Sequence, residues 1–121
     1  MTKKILIVDD EPNIVISLEY LLKREGFQVA VANDGEAALE QVAGFQPDMV
    51  LLDVMMPKKS GYEVCQQLRG DPAHAGLKII MLTAKGRDME VAKGLALGAN
   101  AYVTKPFSTR DLMVLIREHL G

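Results

Sequence analysis

Apolar residues gather along the chain in short runs that return at intervals. KILIV, FQVAVA, DMVLLD, LKIIMLT and AYVT are each strand-like, and a stretch with helical spacing follows every one. The order is βαβαβαβαβα. After Pro12, the residues Ile14, Val15, Leu18, Leu21 and Leu22 hold one stripe of a helix, and Gly26 supplies a stop suited to left-handed backbone. Ala38, Leu39 and Val42 mark a second helix around Asp34 to Gly44. Ser60 followed by Glu63 fits a capping box, with Val64 and Leu68 on the inner side of a third. Val91, Ala92 and Leu95 mark a fourth, stopped near Gly98. Ser108 with Asp111 opens the last, whose inner face is Leu112, Leu115, Ile116 and Leu120.

Strands this apolar are buried on both faces, and a helix after each implies a parallel sheet with right-handed crossovers. The fold class is α/β: a doubly wound, flavodoxin-like (βα)5 sandwich, with residues 1–121 as a single domain. Spacing alone leaves the strand order open, but about five βα units commonly arrange as 2-1-3-4-5. In that order strands one and three are neighbours whose connections leave in opposite directions. A crevice opens at their carboxyl ends, where ligands bind. Asp9 and Asp10 end the first strand and Asp53 ends the third.

Composition narrows the function. A chain of 121 residues with a formal charge of −2 and interspersed acids and bases has no footprint for nucleic acid or an anionic membrane. The apolar run after MTKK, Ile5 to Val8, is too short for a signal peptide or a membrane span, so a cytoplasmic location is expected. A lone cysteine, Cys65, allows neither an internal disulfide nor a cysteine-rich metal site, and is expected to be a partly packed helix residue. His74 and His119 lack the paired spacing of a zinc site.

The first strand runs straight into Asp9, Asp10 and Glu11, and each close pair of carboxylates costs about 4 kcal/mol at about 4 Å in an effective dielectric of about 20. A cation would repay that cost. Hard carboxylate oxygens converging at an open crevice suit Mg2+, which keeps several waters and needs only one or two carboxylates. Thr83 closes the fourth strand and Lys105 follows the fifth, adding a hydroxyl donor and a cation that could hold phosphate. Taken singly, each of these residues reads equally well as an ordinary turn, cap or surface residue. Their coincidence at the carboxyl edge of one sheet favours a site.

These pieces resemble the receiver (CheY-like) domains of two-component response regulators. The resemblance runs from ILIVDDEP to the final helix, through Asp53 in LLDVMMP, Pro57 and Gly61 of MPKKSG, Thr83-Ala84 of LTA, and Tyr102 to Pro106 in YVTKPF. It implies that a sensor histidine kinase, a phosphotransfer protein or a small acyl-phosphate donor passes a phosphoryl group to Asp53. Residue types alone would not choose Asp53 over Asp10 as the acceptor. By the same resemblance Asp9, Asp10, Asp53 and the Met55 backbone carbonyl hold Mg2+, and Lys105 binds the phosphoryl group. Thr83 and Tyr102 act as the switch that alters the face of the fourth helix, fifth strand and fifth helix. A cis Lys105-Pro106 bond is also implied. Such a protein is a phosphoacceptor signalling domain rather than an enzyme, its catalysis limited to its own phosphorylation and dephosphorylation. No effector follows Leu120, so output is expected through a downstream partner or a separate output domain.

Some positions depart from the family pattern or bear on rates. GANAY places Asn100 and Ala101 where dimerising relatives with winged-helix outputs carry acids, so that type of dimer is not expected. Lys58 and Lys59 flank the site and are candidates for assisting an anionic donor or selecting a partner. Met55 and Lys85 occupy positions that in the family influence acyl-phosphate lifetime. Two other chemistries fit less well. An aspartyl phosphatase of the haloacid dehalogenase type needs D-x-D after the first strand, where this chain has D-D-E. A flavin site needs a phosphate-cradling loop there, which D-D-E-P would repel.

Overall fold

The computed structural model describes residues 2–56, 60–84 and 88–120, with the side chains of all these but 84 and 88–90. Pro57, Lys58, Lys59 and Lys85 lie outside the described residues. Along the chain come β1 (Lys4–Val8), α1 (Pro12–Arg24), β2 (Gln28–Ala32), α2 (Gly35–Phe45), β3 (Met49–Asp53) and α3 (Gly61–Arg69). A 3-10 turn at Pro72–His74 precedes β4 (Lys78–Ala84), α4 (Asp88–Ala96), β5 (Ala101–Lys105) and α5 (Thr109–Leu120). The five strands form one parallel sheet in the order β2-β1-β3-β4-β5. That is the 2-1-3-4-5 arrangement the βα repeat suggests.

Local chemistry accounts for the helix ends. Pro12 starts α1, where its missing N–H costs nothing, and Gly26 follows the helix at φ +94°, a conformation that penalises any side chain. Asp34 caps α2 by accepting the Ala37 N–H at 2.8 Å, an interaction worth about 1 kcal/mol. The capping box of α3 is complete: Glu63 N–H donates to Ser60 Oγ at 3.3 Å, and Ser60 N–H to Glu63 Oε1 at 3.4 Å.

Strand alternation divides the core in two. Leu6, Val8, Val50, Leu52, Ile79 and Met81 face α2 and α3, meeting Ala38, Val42, Val64, Cys65 and Leu68. Ile5, Ile7, Met49, Leu51, Ile80 and Leu82 face α1 and α5, meeting Leu18, Leu22, Leu112 and Ile116. Cys65 is wholly buried rather than partly packed, its Sγ 3.7 Å from the Leu97 carbonyl. On α5, Leu112, Met113 and Ile116 are buried, while Leu115 and Leu120 pack partly against the same cluster.

The fourth helix lies where the spacing places it, but of the residues that mark it Ala92 is exposed and Leu95 is 42% exposed. Val91 is half-buried, and among the described residues of the helix the fully buried position is Gly94, where an added Cβ would lie 3.2 Å from Met81 Cγ. A glycine contact leaves no hydrophobic signal in the sequence.

Arg69 at the end of α3 anchors the amino edge of the sheet. Its Nε donates to the Gly98 carbonyl at 2.8 Å, Nη1 to the His74 carbonyl at 3.1 Å, and Nη2 to Asn100 Oδ1 at 2.7 Å. The same Asn100 oxygen accepts the Ile79 N–H at 2.8 Å. Asn100, unable to form the ion pairs of an acid, serves internally. Among the described residues no helix is long and apolar enough to cross a membrane.

Candidate functional site

Sheet register assembles the site. Val8 pairs with Leu52, so Asp9 and Asp53 emerge side by side, one residue further along each strand. Asp53 pairs with Leu82, the residue before Thr83, and Ala84 pairs with Lys105. Four adjacent strand ends thus deliver two acids, a hydroxyl and an ammonium to one edge. Alternation sorts them: Asp53 is in step with Met49 and Leu51 on the α1/α5 side, whereas Thr83 is in step with Ile79 and Met81 on the other.

Lys105 is the centre of the charge network. Its Nζ lies 2.9 Å from Asp9 Oδ2, 3.1 Å from Glu11 Oε1 and 3.5 Å from Asp53 Oδ1. Asp9 Oδ2 is fully buried, and the Lys105 ammonium is its partner. Asp9 Oδ1 accepts the Glu11 N–H at 2.9 Å, and Asp53 Oδ1 accepts the Met55 N–H at 3.3 Å. Thr83 is 1% exposed, and its hydroxyl oxygen has no hydrogen-bond partner among the described residues.

Burial raises the Asp53 carboxyl from its ordinary 3.8 to about 6, and the charge of Asp9 adds to the rise. Lys105 and the Met55 N–H pull the other way without cancelling it. For Lys105 burial acts to lower the pKa, but the contacts with Asp9, Asp53 and Glu11 outweigh it and the ammonium titrates above its usual value.

Most of the residues expected at the site converge. Asp9 and Asp53 are buried and Asp10 is exposed, yet each offers a carboxylate oxygen within 4.8 Å of the others. Hard anionic oxygens at that separation, two of them on buried residues, fit a small divalent cation such as Mg2+. Met55 follows Asp53 closely, its side chain 66% exposed. Tyr102 stands apart, 45% exposed on the edge strand β5 beside a shallow cavity shared with Phe107 and Leu115. The Lys105-Pro106 bond is cis. His74 and His119 make separate local contacts, with Asp71 and the Leu115 carbonyl respectively.

Two participants take roles that the sequence reading did not assign them. Glu11 stands outside the three-carboxylate group and reaches Lys105, 94 residues away. Its only sequence signal is a third acid in the same run. Gly61 abuts the acceptor strand: an added Cβ would sit 2.3 Å from the Asp53 carbonyl oxygen and 2.9 Å from Val54 Cα. The Gly61 N–H donates to the Val54 carbonyl at 3.0 Å, which seats α3 directly behind Asp53.

Comparison with known proteins converges on one family. Residues 5–117 match the response regulator receiver domain. The chain is 48% identical over 117 residues to the alkaline phosphatase synthesis transcriptional regulatory protein PhoP of Bacillus subtilis (strain 168), covering 97% of this chain. It spans 48% of that relative's length, about half. Among solved structures, the BeF3-activated N-terminal receiver domain of Klebsiella pneumoniae RstA superposes with a TM-score of 0.90 at 34% identity, covering 98% of each chain. The chemotaxis response regulator CheY4 of Vibrio cholerae superposes with a TM-score of 0.92 at 28% identity, over 98% of this chain and 99% of that one. With its sheet order, its carboxyl-edge acids and this family match, the chain belongs to the response regulator receiver domains of two-component systems.

Proposed function

We propose that this single receiver domain captures a phosphoryl group on Asp53 and catalyses that capture itself. The observation that carries the reading is the Lys105 ammonium 3.5 Å from the buried Asp53 carboxylate, beside two further acids able to share a cation. An Asp53 oxygen attacks phosphorus in line as the P–N bond of a phosphohistidine breaks. The bonding electrons return to the imidazole nitrogen, which takes up a proton, and an acyl phosphate remains on Asp53. A carboxyl titrating near 6 is still mainly ionised at neutral pH and more nucleophilic than an ordinary aspartate.

Asp9, Asp10 and Asp53, with the Met55 backbone carbonyl, would hold Mg2+, which supplies positive charge to the phosphoryl oxygens when bound. Lys105 binds a phosphoryl oxygen from the β5 side. The partnerless Thr83 hydroxyl turns to donate to another, drawing the β4 end with it, and Tyr102 moves inward to alter the α4–β5–α5 face. Two states a few kcal/mol apart are enough for such a switch. The phosphodonor is a sensor histidine kinase or a phosphotransfer protein in the cytoplasm. The output is a partner protein or an output domain; the similar PhoP is a transcriptional regulatory protein.

The test is incubation with Mg2+ and phosphoramidate, followed by mass spectrometry of wild type and Asp53→Asn. Wild type should gain one phosphoryl group and the variant none. A phosphorylated Asp53→Asn protein would refute the assignment.

A further inference from the structure

The third acid of the DDE run has no place in the cation group, and it is not used as a helix cap either. Glu11 is the N-cap residue of α1, yet its side chain makes no capping hydrogen bond, although such a position commonly spends its side chain on the exposed N–H groups of the first turn. Instead Oε1 reaches out to the Lys105 ammonium at 3.1 Å. The backbone N–H of the same residue is fixed on Asp9 Oδ1 at 2.9 Å, so the carboxylate is aimed from a secured base.

The consequence for Lys105 lies in the order of its distances. The ammonium sits 2.9 Å from Asp9 and 3.1 Å from Glu11, but 3.5 Å from Asp53. A lysine has three N–H donors on a flexible stem and can turn to whichever acceptors surround it. Here two of the three acceptors lie on the β1 side and draw it away from the acceptor carboxylate. We propose that Glu11 is a positioning residue that holds Lys105 in the resting site, so that phosphoryl capture on Asp53 requires the ammonium to let go of Glu11 and turn to the incoming oxygen. This rests on the reading of Asp53 as phosphoacceptor. Glu11 is 58% exposed and Lys105 16%, so the hold is modest and is released without burying an orphaned charge.

The experiment measures the rate of phosphorylation of the full chain by phosphoramidate with Mg2+, for wild type, Glu11→Gln and Glu11→Asp. The aspartate keeps the charge but is one methylene shorter and cannot hold the same contact. Both variants should be phosphorylated about two- to five-fold faster than wild type, the range set by a half-exposed ion pair. The nitrogen resonance of the Lys105 ammonium should move in both, a signal that helix stability alone would not change. An unchanged or slower Glu11→Gln protein overturns the proposal. So does Glu11→Asp behaving as wild type while Glu11→Gln is faster, because bulk charge would then be the cause. If wild type takes up no phosphoryl group, the reading of Asp53 fails and this inference falls with it; if it does so at the Glu11→Gln rate, only the inference falls.

Discussion

The most demanding test of the site's electrostatics is the stability of the cation-free protein as a function of pH. Asp53 titrates near 6 in the fold against an ordinary 3.8, so the folded protein binds its proton more tightly than the unfolded chain does. Stability from this group is therefore fully present below about pH 3.8 and is lost as pH rises through about 6. Each pKa unit is worth about 1.4 kcal/mol, so ionising Asp53 costs the fold about 3 kcal/mol. Replacing Asp53 by Asn removes the ionisation while keeping shape and polarity, and Lys105 retains Asp9 and Glu11 as partners. In urea unfolding with a chelator present, wild type and Asp53→Asn should have similar stabilities near pH 4. By pH 7.5 the variant should be more stable by about 3 kcal/mol, discounted where Lys105 and nearby acids readjust. Saturating Mg2+ should narrow the gap by stabilising wild type, by about 2.7 kcal/mol at a hundred times its dissociation constant. A difference between the two proteins that stays flat from pH 4 to pH 7.5 would refute the reasoning, since it would mean that burial does not disfavour the Asp53 charge.

Two further changes probe the frame of the site. Gly61→Ala places a methyl 2.3 Å from the Asp53 carbonyl oxygen, a backbone atom that cannot step aside. Thermal or urea unfolding should show a loss of about 1–3 kcal/mol, together with slower phosphorylation because the acceptor strand shifts. A variant as stable as wild type would show that α3 is not seated as tightly as described. Thr83→Val removes a buried hydroxyl that has no hydrogen-bond partner, at nearly constant shape. The unphosphorylated protein should become more stable by about 1 kcal/mol, while the phosphorylated protein loses its conformational response as read by NMR shifts of β5. Loss of stability in the unphosphorylated variant would mean that the hydroxyl is satisfied after all.

The fold could be read from the chain to the extent that packing leaves a pattern. Buried strands announce themselves through runs such as ILIV, and α1 and α3 through a Pro12 start and the Ser60–Glu63 pair, because these effects are local. The fourth helix shows where locality ends. Among its described residues the buried one is Gly94, on Met81, which hydropathy does not register, while the apolar Leu95 faces outward. Cys65 is similar: its full burial depends on what packs over it, not on its own helix. The site divides in the same way. Asp9, Asp53, Thr83 and Lys105 stand at strand ends, so strand prediction brings them to one edge once the order of the sheet is known. The pairing of Glu11 with Lys105 links residues 94 apart, and nothing near either one encodes it. The three-way grip of Arg69 is equally silent, since two of its acceptors are backbone carbonyls with no residue signature.

That grip has a bearing on how this molecule could be engineered. Arg69 and Asn100 stitch together α3, the turn before β4 and the entry to β5, at the end of the sheet remote from the acids. The reactive edge carries a carboxylate that resists folding and a hydroxyl left unsatisfied, so it subtracts from the free energy that the far edge supplies. Reinforcement introduced around the Arg69 knot would harden the scaffold without disturbing the chemistry, whereas reinforcement at the acid edge would dull it.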